Sequence, residues 1–228
     1  MMARVGGWFF MVLVFGGLAW GLLSLPEEPP GLAPAAHEAL PRSGVSNPVT
    51  AVLLNYRAYD TLLEVAVLVL AIVAVWSLRA RPATAFAAPA SPMLGALLRL
   101  LLPLVVLAGG YLLWIGAFAP GGAFQGGALL GGAIVLLLLG GMLNHRVLLR
   151  TAWLKAGLVV GLTVFIAVGL GTMLAGRSLL EYPETLAGTL ILVIEAAALV
   201  SIGLTLGALF FGGRPEPDPD TPKGSSRA

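Results

Sequence analysis

The chain has 228 residues, 58% of them hydrophobic and only 11% charged, with 30 glycines, no cysteine and a formal net charge of +2. So few charges cannot cover a soluble domain of this size, so the composition excludes a soluble globular protein and indicates a polytopic membrane protein. The lack of cysteine excludes disulfides and thiolate metal sites, and His37 and His145 are too far apart in sequence to give a metal-ligand spacing.

Taken in order, Trp8 to Leu25 is an apolar run behind Arg4. It reads as a first transmembrane helix, because it exceeds the roughly 7–15 residues of a signal-peptide core. The small residues Ala33 to Ala36 leave a cleavable signal open as the alternative. Pro26 to Ser46, with five prolines and Glu27, Glu28 and Glu38, reads as a polar loop. From Asn47 to Tyr59, Val49, Val52, Leu53 and Tyr56 recur at i, i+3, i+4 and i+7, the pattern of an amphipathic helix on or dipping into the membrane surface. A second span, Thr61 to Leu78, contains Glu64 and is closed by Arg79 and Arg81. Residues 82–92 form an Ala/Pro linker without apolar periodicity and suggest a boundary between an N-terminal part, 1–81, and a part covering 93–211.

Four more spans are expected: Met93 to Phe118 with Pro103 inside it, a central one within Ala119 to Leu143, Trp153 to Ala175, and Ala187 to Phe211 with Glu195 inside it. The fold class is therefore all-α, with about six transmembrane helices. Residues 212–228 are too polar to fold. In the central span the 23 residues from Gly121 carry no charge. Pro120 stands where a helix starts, and small residues recur four apart at Gly122/Gly126, Gly127/Gly131 and Ala128/Gly132, a face made for close helix packing. Gln125 is its only strongly polar side chain and must find a partner in protein or water.

Orientation follows from Lys and Arg. With the N-terminus inside, Arg4, Arg79, Arg81, Arg99, Arg146, Arg150, Lys155, Arg214, Lys223 and Arg227 are cytoplasmic, against Arg42, Arg57 and Arg177 outside. Both termini are thus expected in the cytoplasm of a multi-pass protein of the cell membrane.

Three acids can carry chemistry. Asp60 has a sufficient structural explanation as a helix N-cap paired with Arg57. Glu64 lies one turn further along the same face, where a hydrated interfacial residue and a functional one are equally good readings. Glu195 is eight residues into its span, roughly 12 Å deep, between the neutral runs ILVI and AAALV. A carboxylate so placed usually faces a bundle interior or a water-filled cavity and marks an ion or proton path. For the glycine face, ordinary packing outweighs ion contact.

Two segments carry a resemblance. Residues 94–211, with Arg99-Leu-Leu-Leu-Pro103, the string Pro120-Gly-Gly-Ala-Phe-Gln-Gly-Gly127 and an acid followed by a Gly-containing apolar run from Glu195 to Gly207, resemble the MnhB (MrpB) subunit of Mrp-type cation/proton antiporters. The string is close to that family's PGGGFQGG, so the family motif falls on Pro120, Gly121, Gly122, Phe124, Gln125, Gly126 and Gly127. Residues 47–78 resemble the MbhE-like module found at the C-terminal end of the large antiporter subunit, with a pattern near VTAVLxDYRxxDTLxE. Ala123 and Leu63 stand where these families have Gly, and Ala117 lies near a position that is commonly His.

The resemblance implies a fused, non-catalytic membrane subunit of a multisubunit Na⁺/H⁺ antiporter, or of a membrane-bound hydrogenase or related respiratory complex. Neither module carries the lysine- and glutamate-bearing broken helices of the large antiporter-like subunits, so the chain is not expected to pump alone. Its implied partners are the other subunits, Na⁺ and H⁺, and the bilayer, with no nucleic acid and no cofactor. Glu195, Glu64 and Asp60 are the ion-path candidates, and the glycine face is expected to pack between subunits. A structural spacer is the competing reading; an independent transporter is disfavoured by the lack of an internal repeat, and an enzyme by the lack of any nucleophile–base set or phosphate loop.

Overall fold

The computed structural model describes residues 2–25, 31–78, 92–143 and 151–211. The 212–228 tail, nearly all of the 82–92 linker, His145, Arg79, Arg81, Arg146, Arg150, Arg214, Lys223 and Arg227 lie outside the described residues. Every regular element among those described is helical. The α-helices in chain order are α1 (Met2–Leu23), α2 (Ala33–Ala39), α3 (Pro48–Ala51), α4 (Ala58–Leu78), α5 (Pro92–Ile115), α6 (Ala123–Leu139), α7 (Thr151–Leu174) and α8 (Ala187–Phe211), with a 3-10 turn at Leu40–Arg42 and a π-turn at Val52–Tyr56. By length and composition α4, α5, α7 and α8 can each cross a membrane, while Trp8–Leu23 of α1 and the whole of α6 are shorter apolar helices. The protein is an all-α polytopic membrane protein.

The chain divides into two compact units, one ending at Ala35 and one beginning at Ala36. In the first, α1 exposes Trp8, Phe10, Phe15, Leu18 and Trp20, an apolar surface suited to lipid. The second is built around α8, against which α4, α5, α6 and α7 all pack. Close approach comes from small residues, as expected where no hydrophobic force drives helices together in lipid. A Cβ on Gly127 would come within 2.8 Å of Ile202, one on Gly131 within 2.9 Å of Leu206, and one on Gly207 within 2.7 Å of Ile134. On the other flank the Ser201 hydroxyl donates to the Leu158 carbonyl of α7, a polar tie across an apolar seam.

The central helix is shorter than its uncharged run. It begins at Ala123, not at Pro120, because Gly122 takes φ 113° and ψ −169°, a conformation open only to glycine. It ends at Leu139, not Leu143, in a Schellman turn: Gly141 adopts φ 64°, its N–H donates to the Leu138 carbonyl, and the Met142 N–H donates to Leu137. The remaining 17 residues rise only ~25 Å.

The segment after Asn47 is helical but interrupted. The Asn47 side chain accepts from the Val49 N–H and Pro48 occupies the first turn, so α3 is well capped. A π-turn over Val52–Tyr56 follows, and Arg57, at φ −125° and ψ 37°, breaks the helix before α4. Thr61 donates its hydroxyl to the Leu53 carbonyl at 2.6 Å, satisfying a group that the wide turn releases. The stripe of Val49, Leu53 and Tyr56 stays outside, while Thr50, Ala51, Leu54 and Ala58 are buried. Ala51, Leu54 and Ala58 join a core with Phe165, Ile191 and Ile194.

That buried face holds the α5–α6 turn. Asn47 Nδ2 lies 3.0 Å from the Gly116 carbonyl and 2.9 Å from that of Ala119, and the Thr50 hydroxyl donates to Gly116 at 2.6 Å. The Ser46 and Asn47 N–H groups both donate to Ala117. Carbonyls at the end of α5, which no further turn of helix could satisfy, are thus bonded by residues some 70 positions earlier.

Candidate functional site: a carboxylate at the start of α6

Glu195 is 5% exposed, and its Oε1 accepts from the Ala123 N–H at 3.3 Å. Ala123 opens α6, so this N–H is one of the donors that a helix start leaves without an intrahelical partner. The positive end of the helix dipole therefore faces the carboxylate. The sequence leaves Glu195 without any nearby compensation; the fold corrects this with a backbone donor 72 residues away. Among the described residues no second donor reaches it.

The motif glycines make this seat. A Cβ on Gly122 would stand 2.5 Å from Glu195 Oε1 and 3.8 Å from Gln125 Oε1, and one on Gly121 would stand 2.5 Å from the Leu112 carbonyl. Gly126 lies against Leu199 of α8 and Gly109 of α5. Phe124 packs against the buried cluster of Val65, Ala123, Ala198, Leu199 and Ile202. Pro120 lies in the turn, three residues ahead of α6. Of the small residues expected to pack between subunits, Gly126, Gly127 and Gly131 abut the chain's own helices, whereas Ala128 and Gly132 stay exposed.

Next to Glu195 is a cavity of about 230 Å³, with room for several waters. Its polar lining is Glu195, Glu64, Gln125, Thr50 and Thr61; Phe124, Phe165 and Ile194 supply apolar wall. Glu64 and Gln125 are exposed, as are Val49 and Leu53, and these four make its open side. Two of the three candidate acids are thus brought together and the third is not. Asp60 forms an ion pair with Arg57 in the first turn of α4, as its third residue and not its N-cap. With side chains 69% and 44% exposed, that pair contributes little.

The sequence reading missed Asn47, Thr50 and Thr61. Asn47-Pro48 was available as a helix-start signature, but nothing in the spacing shows that its amide crosses to Gly116. The two threonines carry no sequence signal, since a hydroxyl in an apolar helix usually bonds a carbonyl of its own helix, whereas these reach Gly116 and Leu53 outside theirs.

The family match covers the helices that carry Glu195 and Gln125, but not Thr50, Thr61 or Glu64. The model of the domain related to the MnhB subunit of Na⁺/H⁺ antiporter matches residues 93–211. No curated protein matches the chain. A chain of the membrane-bound sulfane sulfur reductase, an archaeal respiratory membrane complex, is similar at TM-score 0.64 and 26% identity, covering 93% of this chain and 98% of that one. A chain of the Mrp complex from Dietzia sp. DQ12-45-1b shares the fold at TM-score 0.63 and 24% identity, covering 97% of this chain but 26% of that one. With more than half of its residues matched, from the second residue of α5 to the end of α8, the chain belongs to the family of the domain related to the MnhB subunit of Na⁺/H⁺ antiporter.

Proposed function

We propose that the chain is a non-catalytic membrane subunit of a multisubunit Na⁺/H⁺ antiporter and that the cavity beside Glu195 is its contribution to the polar route. The observation that carries this is Glu195 itself: nearly buried within an apolar helix, seated on the family motif, and facing a water-sized space. Packing alone does not require a carboxylate there. Glu64 stands at the mouth of the same space, and Asp60 serves as a helix-end charge outside it. Residues 47–78 act as an MbhE-like module fused ahead of the MnhB-like part; the bonds from Asn47 and Thr50 to the α5–α6 turn support reading the two as one working unit. The ten-to-three distribution of Lys and Arg supports cytoplasmic termini.

The deciding experiment is Glu195→Gln in the assembled complex, which keeps shape and hydrogen bonding but removes the exchangeable charge. Na⁺/H⁺ exchange in vesicles should fall, with altered pH dependence, while subunit composition stays unchanged. Full exchange in a correctly assembled complex would leave the chain a spacer.

A second reading, a membrane subunit of a redox-driven complex, is favoured by one observation. The respiratory-complex chain is matched over 98% of its length, whereas in the Mrp complex the matching fold is about a quarter of a longer chain. Isolation under mild detergent separates the two, since redox subunits accompany the chain only in the second case.

A further inference from the structure

The cavity mouth sets a carboxylate and an amide, Glu64 and Gln125, beside the exposed apolar side chains of Val49 and Leu53. Glu64 is the seventh residue of α4, about 9 Å beyond the helix start, and the residues around it, Leu63, Val67 and Leu70, are all more than half exposed. Among the described residues no donor reaches Glu64 and no Lys, Arg or His lines the cavity. Arg57, the nearest base in sequence, is engaged with Asp60. Behind Glu64 lies the second carboxylate, Glu195, with one backbone bond. Lipid tails can satisfy neither Glu64 nor Gln125.

The helix beside the mouth has a second small-residue face. Gln125, Ala128 and Gly132 follow at i, i+3 and i+7, all exposed, and a Cβ on Gly132 would meet nothing within 4 Å. The opposite face, Gly126, Gly127 and Gly131, is filled by the chain's own α5 and α8. The outer face offers the same close approach to a backbone from elsewhere. Since α4 and α6 each pack on α8, the space between them is floored by Ile194, Glu195 and Ala198.

Resting on the reading of the chain as a subunit, we infer that a transmembrane helix of another subunit, bearing a lysine or arginine at the level of Glu64, lies along Gln125, Ala128 and Gly132 and closes the cavity mouth. A cationic side chain is the complement that two carboxylates and an exposed amide call for, and a helix is the only backbone that can bring it there through lipid with its own groups satisfied. The pairing makes this chain a sealing surface as well as a lining for the polar space.

The test uses the assembled complex in native membranes. A photo-crosslinking phenylalanine analogue at Ala128 or Gly132, with Leu107 on the exposed face of α5 as control, should capture one transmembrane peptide of another subunit, with Lys or Arg about two turns from the Gly132 crosslink. Adducts to lipid alone, or to a helix without a base at that level, would overturn the inference. In parallel, Glu64→Lys should reduce recovery of that subunit at least tenfold, and exchanging the partner's base for Glu in the same strain should restore it. Unchanged recovery with Glu64→Lys, or a loss that the reversal does not restore, overturns it equally and points to a solvent cation at Glu64. If the captured helix belongs to neither an antiporter nor a respiratory complex, the functional reading fails while the docking result stands.

Discussion

Glu195 and Gly122 meet so closely that the carboxylate oxygen of one lies 2.5 Å from where a side chain on the other would begin. The glycine is needed twice, once for its backbone angles and once for the space above it.

Gly122→Ala should therefore destabilise the chain by about 1–3 kcal/mol from backbone strain alone, with a further loss from displacing Glu195. Thermal unfolding in detergent should show that the second loss disappears in a Glu195→Ala background. Equal costs in both backgrounds would mean that the two residues do not interact.

The two faces of α6 should respond differently to bulk. Gly127→Leu drives a side chain into Ile202 and should lower the melting temperature of the isolated chain by several degrees, the effect of an overpacking cost of about 1–3 kcal/mol. Gly132→Leu, into open space, should leave that temperature unchanged. Equal sensitivity at both positions would refute the assignment of inner and outer faces.

Asn47→Asp keeps the cap to Val49 but removes the donors to Gly116 and Ala119. Gly116 keeps its bond from Thr50, so the expected cost of about 1–3 kcal/mol is that of leaving the Ala119 carbonyl without a partner. Amide exchange should accelerate in residues 46–56 and 116–122 together, because one set of bonds holds both. Acceleration confined to 46–56 would show that the α5–α6 turn holds itself.

Topology is tested in the cysteine-free background. Single cysteines at Ala36 and Ser225 should react with an impermeant maleimide from opposite sides of the membrane, as the distribution of Lys and Arg requires. Reaction of both from one side would sink the six-span topology.

Much of this protein is written in its local sequence. Long apolar runs with at most one or two charges read as spanning helices, so α4, α5, α7 and α8 appear near their expected ends, and the string from Pro120 to Gly127 marks the family without any coordinates. An acid among neutral residues, as at Glu195, announces a polar site because no lipid-facing position tolerates it.

What the sequence could not decide was which groups meet. Gly126, Gly127 and Gly131 on one side of α6 and Ala128 and Gly132 on the other are equally small, so only the seating of α5 and α8 determines which face is inside. The end of α6 was hidden because apolar residues continue to Leu143, while the Gly141 turn that stops the helix is a matter of backbone angle. Glu195 and Ala123 are 72 residues apart, and no periodicity links them. Their bond exists because α6 and α8 pack through glycine, which brings a helix start, with its unpaired N–H groups, to the one depth in α8 where the chain carries a negative charge.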